Sequence, residues 1–265
     1  MANRSRQYET VSVGNARIVT CVEGEGPTLV MLPSYGRDGL GDFDQVAARI
    51  AAGGWRVLRP QPRGIAGSDG PIQGLTLKDL AGDVAGVIRH FDAGPAVVLG
   101  HAFGNFVARV VAVEHPDLVR GIILAASSPP PKEVAPRINN APFVAGDLAR
   151  PEEERLAALR LAFFAPGHDP RPWLDGWYPE TLAMQHEAVE ATDLKPYWSG
   201  GAAPLLEINA RCDPFKPQAL WSEMHDKLGD RVTTVLIEDA SHALFPEQPE
   251  LVAEAVASWI SRKRG

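Results

Sequence analysis

The 265 residues carry 33 acidic against 26 basic side chains, a formal charge of -7, and 45% of them are hydrophobic. That balance argues against nucleic acid or an anionic membrane surface as partner, and the length suffices for a substantial core without staples. Cys21 and Cys212 are too few and too far apart for a disulfide framework or a four-ligand zinc cluster, so a reducing, cytoplasmic setting is expected.

No apolar stretch of signal-peptide length follows the basic residues of MANRSRQYET, and no run of about 18 apolar residues offers a membrane span. ETVSVGNARIVTCVEG then reads as an antiparallel hairpin, turning at Gly14-Asn15 and added at a sheet edge. TLVMLP at 28–33 is a strand, Phe43 to Ala52 a helix, WRVLRP at 55–60 a strand and Thr76 to Phe91 a helix. AVVLG at 96–100, the helical stretch from Asn105 to His115 and GIILAA at 121–126 continue the alternation. After a long gap come the strand PLLEINA at 204–210, a helix from Pro217 to Leu228, the strand TTVLIEDA at 233–240 and a helix from Pro249 to Arg262. Continuous rather than alternating apolar character suits strands covered by helices on both faces, so the expected fold class is α/β with a mostly parallel sheet.

One segment breaks the rhythm. Residues 128–201 hold PPP, the helix-like RPEEERLAALRLAFF and the aromatic stretch RPWLDGWYPETLAMQ, with no clear strand. They read as a helical lid inserted after the sixth strand of a core formed by residues 1–127 and 202–265. Pro129 to Pro131 and Gly200-Gly201 would be its hinges, since such residues bias the chain out of regular structure. Two crossover helices with long loops are the plainer alternative.

The strongest local signal is AVVLGHAFGNFVARVVA, which sets Gly100-His101-Ala102-Phe103-Gly104 between a strand and a helix. That is the context of a nucleophile elbow, where flanking glycines admit a tight turn whose apex normally presents Ser, Cys or Asp. Here the apex is Ala102, and a methyl group cannot attack anything.

Taken together, these features resemble the α/β-hydrolase superfamily over nearly the whole chain. MLPSYGRDGLGDF stands where that family has its HG oxyanion loop, and PQPRGIAGSDG where it has PDxRGxGxS. NARCDPFKP stands where it has GxxDP, and DASHALFPEQPE where it has GxGHxxxxExP. Departures are visible too, among them Pro33-Ser34 in place of HG, Gln61 in place of Asp, and Ala102 in place of the nucleophile. The resemblance implies that Asp213 and His242, each following a strand, meet in one crevice at the carboxyl ends of the sheet, the carboxylate fixing the imidazole tautomer. It also implies an oxyanion hole from the N–H groups of Tyr35 and Phe103, and position 102 as the nucleophile site. Ser34 is a neighbouring hydroxyl in a loop whose usual task is to present N–H groups.

His101, His115, His168 and His186 lie outside these motifs and read as structural, although His101 flanks the elbow and is kept with Ser34 among candidate substrate contacts. Three of the six tryptophans fall in the inserted segment, with Phe163, Phe164, Tyr178 and Met184. Aromatics so placed generally pack a lid onto its domain. Trp173, Trp177 and Tyr178 would favour an apolar or aromatic small molecule if they face the crevice.

Three readings of Ala102 stay open. A serine enzyme could carry an engineered Ser→Ala change; a native alanine could leave His242 and Asp213 acting directly as a general base on water or a carbon acid; or the chain could bind without catalysis. The expected protein is a cytoplasmic monomer or homodimer that works without cofactor on a small apolar substrate. Hydrolysis of an ester, lactone or related acyl bond is the leading reaction, and His-base lyase or oxygenase chemistry the alternative.

Overall fold

The computed structural model of the protein describes residues 6–262; the leaderless start expected from MANRS lies outside them. The chain opens with β1 (Gln7–Val13) and β2 (Ala16–Glu23), then β3 (Thr28–Leu32), α1 (Asp44–Ala52), β4 (Arg56–Pro60) and α2 (Leu77–His90). It continues through β5 (Ala96–His101), α3 (Gly104–Glu114) and β6 (Val119–Ala125). Four helices follow: α4 (Pro136–Asn139), α5 (Ala141–Gly146), α6 (Glu152–Ala162) and α7 (Pro179–Glu190). The chain ends with β7 (Leu205–Ala210), α8 (Glu223–Leu228), β8 (Val232–Ile237), α9 (Leu244–Glu247) and α10 (Pro249–Ser261).

The eight strands form one sheet in the order β1-β2-β4-β3-β5-β6-β7-β8. The pairs β1–β2 and β2–β4 are antiparallel and the rest parallel. Every residue of β3, β5 and β7 is buried, the pattern of strands covered on both faces. One face packs on α2 and α3 through side chains such as Val30, Leu58, Val98 and Ile122. The other packs on α1 and α10 through Met31, Val57, Leu99 and Ile123. Neighbours in sequence thus go to opposite sides, as strand geometry requires. The expected helix from Pro217 to Leu228 is divided: a 3-10 turn covers Gln218–Leu220, and only Glu223–Leu228 is α-helical. Among the described residues no helix is long and apolar enough to cross a membrane.

Between β6 and β7 there is no strand among the described residues, and this helical segment has its own apolar cluster, including Leu156, Leu159, Phe163 and Trp177. Several ties hold it to the sheet domain. Tyr178 N–H donates to Gly36 O at 2.8 Å, Gly36 N–H to Gln185 Oε1 at 2.7 Å and Thr181 Oγ1 to Arg63 O at 2.9 Å. Arg37 forks onto Asp42 at 2.7 and 2.9 Å, donates to Asp175 O at 3.0 Å, and lies 4.1 Å above the Trp173 ring.

Candidate active site

The turn after β5 is as tight as its glycines suggest. Ala102 has φ of +50°, a left-handed conformation that a non-glycine residue adopts at a cost of about 1–2 kcal/mol. Its N–H donates to Ala125 O at 3.1 Å, and the Asn105 amide donates to the same carbonyl at 2.9 Å, so the end of β6 braces the bend. A Cβ on Gly100 would lie 2.3 Å from Gly104 C, and one on Gly104 2.4 Å from Leu32 O. Neither position has room for a side chain, which ties both glycines to the turn.

His242 and Asp213 sit in the loops after β8 and β7. Asp213 Oδ2 is 2.9 Å from His242 Nδ1, and Asp213 Oδ1 accepts the Phe215 N–H at 2.9 Å. Both residues are buried. An acceptor-only carboxylate at Nδ1 keeps the proton there, which leaves the Nε2 lone pair available. The ring is wedged between aromatic neighbours, 4.1 Å from Phe215 and 5.7 Å from Phe163, centroid to centroid.

His242 and Ala102 line one small cavity of about 30 Å³, together with Ser34, Tyr35 and Phe103. Phe106, Phe143, Phe163, Phe215 and His186 complete most of its apolar wall. The Tyr35 and Phe103 rings meet at 4.7 Å, tilted by 36°, and among the described residues neither main-chain N–H donates to a protein acceptor. Burial pushes the Tyr35 phenol above its ordinary pKa, and its hydroxyl has no protein partner. Among the described residues, no group of three or more His, Cys, Asp or Glu side chains is arranged to hold a metal ion.

Four candidate substrate contacts are placed elsewhere. His101, the last residue of β5, points to the face opposite Phe103, against Phe43 and Phe245. Its Nε2 donates to the His242 carbonyl at 2.7 Å, and burial lowers its pKa to about 4. It therefore supports the His242 main chain from behind and does not reach the cavity. Trp173 and Trp177 are buried under Arg37 and around Phe163, and half-buried Tyr178 caps α7, so none of the three lines the cavity. The rings of Trp173, Trp177 and Tyr178 serve packing; Phe143 and Phe163 are the aromatic carbon rings of the inserted segment that line the cavity.

Other residues acquire roles that the sequence did not announce. His186, read as structural, lines the cavity from α7 and meets Phe143 edge-on at 4.9 Å. Gln61, a departure from the family pattern, accepts Gly39 N–H at 3.0 Å and donates to Arg59 O at 2.9 Å, bracing the loop that carries Tyr35. Glu247 accepts Ser241 N–H at 2.7 Å and Ala165 N–H at 2.6 Å, and Ala243 N–H donates to Phe163 O at 2.8 Å. These bonds clamp the His242 loop to the helical segment. The ExP motif to which Glu247 belongs was the signal that could have found it; nothing local marks His186.

Comparisons with known proteins agree with this architecture. A family model described as "Alpha/beta hydrolase family" matches residues 29–255. The chain is 27% identical to a pimeloyl-[acyl-carrier protein] methyl ester esterase of Aeromonas hydrophila, over 89% of this chain and 96% of that protein. It is 27% identical to a pyrethroid hydrolase of Sphingobium wenxiniae, over 82% of each. An esterase from Exiguobacterium antarcticum superposes with a TM-score of 0.80 at 19% identity, covering 96% of this chain and 100% of that one, a likeness of fold. Matched over most of its length and built on the same mostly parallel sheet, the chain belongs to the alpha/beta hydrolase family.

Proposed function

We propose that the protein hydrolyses an ester, lactone or related acyl bond of a small, largely apolar molecule, with His242 as general base and Asp213 as its orienting carboxylate. The observation that carries this reading is the 2.9 Å contact between Asp213 and His242 Nδ1, with the imidazole on the same cavity as Ala102. A methyl group at the apex leaves room where a nucleophilic side chain would project, and a cavity of about 30 Å³ is large enough to hold water. In this reading His242 Nε2 takes a proton from water as its oxygen bonds to the acyl carbon. The carbonyl oxygen, now negative, accepts from the N–H groups of Tyr35 and Phe103. Collapse breaks the acyl bond, and the imidazolium returns its proton to the leaving alkoxide, giving acid and alcohol.

Residues 128–201 act as a cap over this site. The closed cavity is far smaller than ordinary ligand pockets of roughly 300–1,000 Å³, so a substrate requires part of the wall to move. The enzymes acting on esters among the relatives support the reaction class, and the surrounding phenylalanines support an apolar substrate. The missing hydroxyl at position 102 also favours a second reading, proton abstraction from a carbon acid by His242, as in lyase or cofactor-independent oxygenase chemistry.

The test is turnover of p-nitrophenyl acetate and butyrate by the chain and by Ala102→Ser, His242→Ala and their combination. Removing a triad nucleophile costs about 10⁶-fold in turnover, so installing one on an intact base and oxyanion site should raise the rate at least about 10²-fold. That gain should vanish in the double variant. A folded Ala102→Ser protein no faster than its parent refutes acyl transfer at this site.

A further inference from the structure

One buried charge cluster takes no part in the steps above. Arg109, on α3, is 7% exposed, and its Nη1 has no acceptor among the described residues. Its Nη2 meets only the weakly accepting Met224 Sδ, at 3.4 Å, and its Cζ lies 6.0 Å from the Trp198 ring centroid. The carboxylates that influence it are already engaged. Glu207 accepts from Lys216 Nζ and, at 3.1 Å, from Ser127 Oγ, while Glu223 accepts from Lys227 at 2.6 Å near the surface. Glu207 keeps one oxygen without a partner, but Arg109 does not reach it. The buried cluster thus holds two cations, Arg109 and Lys216, against one carboxylate, Glu207. Burial drives the Arg109 pKa down to about 10, which reflects how poorly the surroundings solvate its charge.

A lone buried cation is an expensive way to fill space, and an apolar side chain would serve packing better. Its location suggests what it serves. Arg109 forms part of the wall of a second cavity of about 30 Å³, and this one shares Phe106 and Ser128 with the cavity of His242 and Ala102. On its other side it shares Pro130, Leu194 and Trp198 with an open groove of about 590 Å³. The cavity that Arg109 lines therefore borders both the open groove and the site of the proposed chemistry.

We propose that Arg109 binds a carboxylate carried by the substrate at the end remote from the scissile acyl bond. The substrate class is then the half-ester, or a comparable mono-acyl derivative, of a short dicarboxylic acid. Its methylenes run past Phe106, its ester carbonyl reaches the N–H groups of Tyr35 and Phe103, and its free carboxylate supplies the acceptor that Nη1 lacks. A planar guanidinium suits this task because its paired N–H donors match a carboxylate in a fork. This inference rests on the reading of the His242 cavity as the substrate site, but its test needs no turnover.

Calorimetric titration at pH 7.5 and low salt compares monomethyl succinate, glutarate and adipate with the corresponding dimethyl esters. At least one monomethyl ester should bind ten-fold or more tightly than its dimethyl counterpart. Arg109→Gln should reduce that preference to less than three-fold while leaving dimethyl-ester affinity unchanged, and Arg109→Lys should keep part of it. His242→Ala should retain the preference, so a failure of the proposed chemistry leaves this result standing. Equal binding of both ester types, no binding of either, or a preference that survives in Arg109→Gln overturns the assignment. Should Arg109→Gln not fold, Arg109→Lys decides: an unchanged preference overturns it and a reduced one supports it.

Discussion

The elbow can be tested by one methyl group placed at two glycines. In Gly104→Ala the new Cβ would lie 2.4 Å from Leu32 O, 2.9 Å from Leu32 C and 3.0 Å from Leu32 Cβ. Leu32 is held in register against Gly100 by the β3–β5 pairing, so the clash is chiefly with main chain and no rotamer relieves it. Overpacking costs typically 1–3 kcal/mol, and a rigid neighbour puts this case near the upper end. Against it stands the gain from replacing glycine at the start of α3, at most about 1 kcal/mol. The clash wins by about 2 kcal/mol. For a chain of this size that lowers Tm by about 4–8 °C. Gly82, inside α2, has nothing within 4 Å of a built Cβ, so Gly82→Ala should gain up to about 1 kcal/mol and raise Tm by a few degrees. Thermal unfolding followed by circular dichroism measures both. A Gly104→Ala protein as stable as its parent, or equal losses at the two sites, would refute the contact argument.

Three further predictions concern groups around the site. His101 is held neutral, its pKa lowered from 6.5 to about 4, so the unfolded chain binds the extra proton between those values. Its contribution is complete above pH 6.5 and is lost as pH falls toward 4, to a total of about 3 kcal/mol, and His101→Gln should flatten that part of the stability–pH curve. Urea midpoints at intervals from pH 7 to pH 4 would show it, and identical slopes for both proteins would count against it. Arg37→Met strands the Asp42 carboxylate and removes the cover from Trp173. A loss of about 3 kcal/mol is expected, with Arg37→Lys falling between because an ammonium cannot reproduce the fork; unfolding midpoints of the three proteins would decide. In an Ala102→Ser background, Asp213→Asn should lower p-nitrophenyl ester turnover by about 10⁴-fold by presenting His242 in the wrong tautomer, and a loss under ten-fold would exclude that role.

The sheet was legible because each inner strand is a short uninterrupted apolar run, and TLVMLP, AVVLG and PLLEINA coincide with β3, β5 and β7 to within a residue. Periodicity could not distinguish a 3-10 turn at Gln218–Leu220 from the start of a longer helix. Asp213 and His242 were legible as motif positions through the family resemblance, and the elbow glycines because the tight turn leaves no room for a side chain. Cavity walls follow no such restriction. Phe143, Phe215 and His186 converge from three separate elements, and only the tertiary arrangement brings them together. Trp173 and Trp177 show the converse. A cluster of rings reads alike whether it faces a ligand or, as here, a guanidinium and other rings.

The bonds from Glu247 and Ala243 to Ala165 and Phe163 divide the wall of the His242 cavity into two parts of unequal freedom. The Phe163 side is welded to the very loop that aims the imidazole, so sequence drift there disturbs alignment along with shape. Pro131, Asn139 and Phe143, on the far side, border both the inner chamber and an outer groove, and none of these ties passes through them. Diversifying those three positions is therefore expected to reshape the chamber while the Asp213–His242 contact keeps its alignment.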